Sequence, residues 1–282
     1  MPEHERTIRG IPAVSAQAPR VRLVVKGGLG TGTEIDCHRV VTLLGSRKGC
    51  KVRLQHPRIS AVHLAVVNTG ADVFAVDLVT RTGTLLNELK MEHESVSDGD
   101  MLAIGPWTFR IDIESQVNNG NSDIHVHGLE PAPHIAALEH LSTNQVLRPT
   151  RNVCVIGRRS GCDITISDRR VSRAHALLLL NYFGNPAVVD LLSQNQVLVN
   201  DARVNFAVLT DNDIITIGET RFRARLRGST ISESSTRNRK PIEKKAVVTP
   251  EQPLLDQIDI AEVEGSQRWK VAENVERIPR KK

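Results

Sequence analysis

A chain of 282 residues has room for two domains of ordinary size. It carries 37 basic against 32 acidic residues, a net charge of only +5, and just 3% aromatics. Neither the concentrated basic charge nor the stacking platforms of a dedicated nucleic-acid binder are present, so nucleic acid is disfavoured as a partner. No stretch approaches the run of about 20 apolar residues that a spanning helix needs. No apolar run follows Met1–Arg6 to make a signal peptide. The expectation is a cytoplasmic protein that does not engage a membrane. The cysteines Cys37, Cys50, Cys154 and Cys162 form no C-x-x-C pair. They read as small buried thiols in a reducing compartment, with no metal and no cofactor.

In chain order, residues 1–19 are polar, carry Pro2, Pro12 and Pro19, and lack periodicity; they read as a flexible arm. Residues 20–114 change character. Val21–Lys26, Glu34–Cys37 and Val40–Leu44 are strand candidates separated by turns. Gly27-Gly28-Leu29-Gly30 is one of those turns, because no helix signal follows it to make a phosphate-binding loop. Residues 115–132 are polar and turn-rich and end in proline, which makes a linker. The histidines His125, His127 and His134 near it have no cysteine or carboxylate partner set and are not read as a metal site. Residues 133–228 return to short apolar runs between Gly, Asn, Asp and Pro turns. Residues 229–282 read as a mostly disordered tail. Within it Leu254, Leu255, Ile258, Ile260 and Val263 precede Trp269, as either a partly ordered tail or a short docking motif.

The two strand-rich stretches are copies of one unit. The segment L-L-G-S-R-K-G-C-K-V-R-L from Leu43 lies beside V-I-G-R-R-S-G-C-D-I-T-I from Val155. Gly45 and Gly157, Cys50 and Cys162, Ser60 and Ser172, and His63 and His175 are each 112 positions apart. Asp77 and Asp190, Asn87 and Asn200, and Gly105 and Gly218 are 113 apart. A constant offset with one single-residue step means an internal repeat, the step falling in the turn at Asn68-Thr69-Gly70 and Phe183-Gly184-Asn185-Pro186. Neither copy shows helical amphipathicity, so the fold class is all-β: two β-sandwiches joined by a polar linker, each expected to fold alone.

The second copy carries the chemistry. Strand, basic loop, strand, basic loop, strand is the reading of Val153 to Leu180. Two neighbouring loops would then present Arg158, Ser172 and Arg173 at one end of a sheet. A guanidinium fork beside a hydroxyl is an anion site. Nothing points to an enzyme: there is no nucleophile elbow, Walker loop, zinc-binding H-E-x-x-H or paired carboxylates.

Gly157-Arg158, Cys162-Asp163-Ile164, Val171-Ser172-Arg173-Ala174-His175-Ala176, Asp190-Leu191, Ser193-Gln194-Asn195, Val199-Asn200 and Ile217-Gly218 occur in that order. The set resembles a forkhead-associated (FHA) domain from about His134 to Arg227. The resemblance implies a β-sandwich that binds phosphothreonine on loops at one end, with Arg158 and Ser172 on the phosphate and Asn195 on the ligand backbone. Arg173 would add field and Gln194 an amide donor. Gly157, His175 and Asn200 would be structural, His175 through hydrogen bonds between loops. The partner would be a phosphothreonine-containing protein or peptide, for example a Ser/Thr kinase or its substrate, and the chain a signalling adaptor. A phospho-independent interaction scaffold, using both sandwiches as contact surfaces, is the competing reading.

Two departures stand out. Gln196 replaces the glycine that usually follows the asparagine, which could seat the Asn195 loop differently. The first copy is degenerate: Ser46 takes the arginine position, Ala61 the second arginine, and Thr80-Arg81-Thr82 the Ser-x-Asn. Arg47 lies one position on and would point to the other side of its loop; it or Arg81 could restore some anion binding.

Overall fold

The computed structural model describes residues 7–8, 10–114, 134–227 and 258–259; the linker 115–132, with His125 and His127, and the tail 229–282 except Ile258–Asp259 lie outside the described residues. Among the described residues there is no helix, and the strands form four six-stranded sheets. Each repeat is a pair of sheets face to face. In the first, Val73–Asp77, Leu64–Asn68 and Val41–Gly45 make the centre of one sheet, and Arg20–Gly27, Trp107–Glu114 and Met101–Ile104 the centre of the other. The second repeats this with Asn185–Asp190, Ala176–Tyr182 and Val153–Gly157 against His134–His140, Thr220–Arg227 and Ile214–Ile217.

Alternation explains the second-named sheets. Along Arg20–Gly27, Val21, Leu23 and Val25 turn inward and the arginines turn out; along Trp107–Glu114, Trp107, Phe109 and Ile111 do the same. The first-named sheets do not alternate. Val41–Gly45, Leu64–Asn68, Val73–Asp77 and Val153–Gly157 are buried at every position. Leu44, Leu64, Val66 and Ala75 face the core of their own sandwich. Val41, Leu43, Ala65, Val67 and Val76 face the other way, into a third core shared with Val153, Val155, Leu177, Leu179, Val189 and Phe206 of the second repeat. The two sandwiches are therefore packed sheet on sheet, where the sequence reading has two units joined only by a linker.

The packing has an approximate two-fold relation. Arg47 Nη1 donates to Leu192 O of the second repeat, and Arg159 Nη1 donates to Val79 O of the first at 2.7 Å. Gly49 lies against the Leu192 side chain and Gly161 against Val79. Each pair maps onto the other by the repeat offsets, the self-complementary pattern of an isologous dimer drawn into one chain. Val79 and Leu192 have φ of 54° each. Left-handed backbone is costly for a β-branched valine, on the order of 1–3 kcal/mol. At both places the strained residue is the one whose carbonyl meets the arginine of the other repeat. The symmetry ends at the hairpin turn, as the one-residue offset step requires: Leu64–Asn68 and Val73–Asp77 flank one turn, whereas Ala176–Tyr182 and Asn185–Asp190 flank a tighter one. Phe183 in that turn donates its N–H to Thr69 O at 3.2 Å.

The flexible arm expected over residues 1–19 is corrected over its described part. Val14 N donates to His38 O, Val40 N to Pro12 O, and Arg39 Nη1 to Ile11 O, at 2.8, 3.0 and 2.8 Å. Ile11 and Val14 pack on the shared core. Thr7–Ile8 pairs antiparallel with Phe206–Val208 at the edge of the second repeat. An open edge strand and a nearby apolar seat outweigh the local proline content. At the opposite edge Ile258–Asp259 runs parallel to Val52–Arg53 of the first repeat.

Candidate functional site

The site is built on a glycine. Gly157 ends the strand Val153–Gly157, and a Cβ there would stand 2.2 Å from Arg173 O. Only a residue without a side chain lets the two basic loops close on each other. Once closed, they are laced by Arg158 N to Ser172 O at 2.9 Å and Arg159 N to Arg173 O at 3.2 Å. Gly45 does the same in the first repeat, where a Cβ would stand 2.4 Å from Ala61 O.

Arg158 is exposed and anchored by Nε to Val171 O at 3.1 Å. Its Nη groups have no hydrogen-bond partner among the described residues. Ser172 Oγ accepts from Gln194 N at 3.4 Å, and Asn195 Nδ2 donates to Arg170 O at 2.6 Å. Arg158, Ser172, Arg173 and Gln194 line one cleft of about 260 Å³. Asn195 does not line it but is tied to Arg170, which does. Below, the Asp168 carboxylate accepts from Arg170 N and Glu219 N, both at 2.8 Å. Those two amides hold its pKa below the usual carboxylate range, so it stays a fixed charge beneath the loop.

His175 is fully buried, and its Nδ1 accepts from Ser172 N at 3.0 Å. Burial pulls its pKa below 6.5 and keeps the ring neutral. It therefore sets the backbone of the loop that carries Ser172, and it makes no contact with the cleft. His63 makes the matching bond from Ser60 N at 3.1 Å. Asn200 closes the hairpin between Val197–Val199 and Ala202–Val204, donating to Asp213 Oδ1 and accepting from Ile214 N. Gln196 adopts φ of 47°, where the first repeat has Gly83 at 76°. The turn beside Asn195 thus keeps its left-handed conformation despite the glutamine. The four cysteines are buried, and burial raises the thiols to about 11 or 12, leaving them neutral and unreactive.

The first repeat keeps the loops and lacks the arginine and the asparagine that match Arg158 and Asn195. Ser46 turns its hydroxyl back to Ile59 O at 3.4 Å. Thr82 Oγ1 donates to Arg58 O at 2.8 Å, matching the Asn195 bond without the amide. Arg81 is exposed and stands off the cleft, while Arg47 points across to Leu192. Sequence reasoning passed over Arg159, Arg169 and Arg170, which also line the cleft. The adjacent Arg-Arg pairs were their signal.

Two β-sandwiches that present loops laced around paired glycines, one set carrying arginine and serine, are the architecture of an interaction module. The FHA domain family matches residues 42–105 and 154–218. The chain is a tandem FHA-domain protein. Among solved structures it is similar to Mycobacterium tuberculosis EmbR in complex with a low-affinity phosphopeptide, at 28% identity and a TM-score of 0.31 over 33% of this chain and 24% of that one. It spans about a quarter of EmbR. The FhaA FHA domain complexed with an intracellular domain is 26% identical over 32% of this chain and 98% of that one, TM-score 0.30. The FHA domain of an Arabidopsis thaliana hypothetical protein is 24% identical over 39% and 98%, TM-score 0.33. No curated protein matches the sequence. No helix of the described residues is long and apolar enough to cross a membrane.

Proposed function

We propose that the second FHA domain binds phosphothreonine-containing proteins, making the chain an adaptor in cytoplasmic Ser/Thr kinase signalling. One observation carries the reading: Arg158, Ser172, Arg173 and Gln194 converge on a cleft that no Asp or Glu lines. A phosphothreonine presents close to two negative charges and three acceptor oxygens at neutral pH. The free Nη groups of Arg158 suit two of those oxygens, Ser172 Oγ a third, and Arg173 raises the local potential. Asn195, held at the rim by Arg170 O, is the candidate for the ligand backbone.

The competing scaffold reading needs the sheet faces of both sandwiches as contact surfaces. The sheets with the most apolar outer faces are already spent on each other in the shared core. The first domain then acts as the structural partner of the second. Titration calorimetry with a phosphothreonine peptide and its unphosphorylated twin tests the proposal. Binding of the first and not the second is expected; equal binding would remove it.

A further inference from the structure

The cleft belongs to both repeats. It straddles the approximate two-fold: Arg47, Ser60, Val62 and Val79 line it from the first repeat opposite Arg159, Ser172, Ala174 and Leu192 of the second. Its walls carry six arginines, namely Arg47, Arg158, Arg159, Arg169, Arg170 and Arg173, and no carboxylate. Arg47 and Arg159 each give Nη1 to a carbonyl across the boundary, which leaves Arg47 Nη2 without a partner among the described residues. Arg170 also pairs with Glu219 at 2.9 Å, on an exposed face. Arg158, Arg169 and Arg173 remain uncommitted through their Nη groups among the described residues. One phosphate is satisfied by a single fork and a hydroxyl. The same cleft holds a second hydroxyl, Ser60, beside a guanidinium, Arg47, on the first repeat's side. Like charges packed around an open space raise its potential and favour a ligand of more than one anionic group.

On the proposed phosphothreonine reading, we infer that the ligand is multiply phosphorylated: a first phosphothreonine engages Arg158 and Ser172, and a second phosphoryl group of the same peptide lodges against Arg47 and Ser60. The degenerate repeat thus supplies half of a composite site. It needs no arginine at Ser46, because Ser46 Oγ turns back toward Ile59 and Arg47 reaches the cleft instead.

The test uses the full chain and a peptide set: unphosphorylated, phosphorylated once, and a series phosphorylated twice with the second group moved through successive positions on either side. The doubly phosphorylated peptide is expected to bind at least about tenfold tighter at one favoured spacing, the scale of one added charge-assisted contact. Ala61 is exposed and lines the first repeat's side of the cleft. Ala61→Glu places a carboxylate there without touching the second domain's donors. It should cancel that gain, read as the ratio of the doubly to the singly phosphorylated affinity within the variant, so that any general loss from a carboxylate in the shared cleft divides out. Arg47→Ala should cancel the gain as well. Binding of the single phosphate with no gain from a second at any position overturns this inference and leaves the proposed function standing. A gain that survives both substitutions also overturns it, because the second phosphate would then lie elsewhere. Failure to distinguish phosphorylated from unphosphorylated peptide overturns both.

Discussion

Arg158 and Arg159 are neighbours in sequence and serve different halves of the molecule. Arg158 keeps its Nη groups for the cleft, while Arg159 holds the carbonyl of Val79 across the domain boundary. Arg158→Ala should weaken phosphopeptide binding at least tenfold, from loss of a charge-assisted contact of about 1.5–3 kcal/mol. Melting should barely move, because the side chain is exposed and packs little. Arg158→Lys should also be deficient, since an ammonium lacks the fork. Calorimetry and a thermal melt of each variant check this; wild-type affinity in Arg158→Ala would exclude that residue from the site. His175 makes a pH-dependent prediction. Its folded pKa is lowered by burial, so the unfolded chain takes up a proton that the native ring does not. The stability this represents is present above about pH 6.5 and is lost as pH falls below it. His63 is shifted in the same direction by burial and adds to the slope. His175→Asn retains an oxygen acceptor for Ser172 N and does not titrate. It should flatten the fall in stability between about pH 7 and pH 5, read from denaturant midpoints. An unchanged slope would show that His175 does not carry it.

The strands explain why the repeat was readable and the interface was not. Residues such as Val21, Leu23 and Val25 alternate with polar neighbours, so a half-exposed sheet is plain in the text. Leu64–Val67 and Ala176–Leu180 read as unbroken apolar runs, which a strand buried on both faces and a short core segment share. What covers the second face is not written in either run. The cover is the other repeat, and the expectation that residues 20–114 and 133–228 each fold alone changes accordingly. Either fragment would expose the surface now held in the shared core, including Val153, Val155, Leu177 and Leu179 in the second. Isolated fragments should self-associate or melt well below the full chain, as exposed apolar patches of this kind do. Sedimentation and circular dichroism of the two fragments, separately and mixed, decide it; monomeric fragments that melt with the intact protein would count against the shared core. The mixture should recover a one-to-one complex.

At the scale of the whole molecule, the N-terminal segment is a strap. Ile11 and Val14 pack on the shared core, and the backbone from Pro12 to Val14 bonds to residues 38–40 of the first repeat. Thr7–Ile8 adds to the second repeat's sheet. Deleting residues 1–19 should lower stability by about 2 kcal/mol or more, the scale of uncovering two partly buried aliphatic side chains. It should also lower the domains together, because the strap spans both. A denaturant titration followed by one probe in each repeat checks this. Loss confined to one repeat would show that the strap serves that repeat alone.

The sequence by itself determined the repeat, the all-β sandwiches and the placing of Arg158, Ser172 and Arg173 on two neighbouring loops. Those features rest on local periodicity, on turn chemistry and on residues such as Gly157, whose missing side chain is needed wherever that loop pair closes. It also showed that Ser46 and Thr82 break the donor set of the first repeat. Only the tertiary structure decided where the first repeat sits. Its outer sheet covers that of the second, Arg47 crosses to Leu192, and the loops of both copies open into one arginine-lined cleft. Such relations join residues more than a hundred positions apart through docking of two finished surfaces. No local pattern in either surface names its partner, because burial is satisfied by any complementary apolar face.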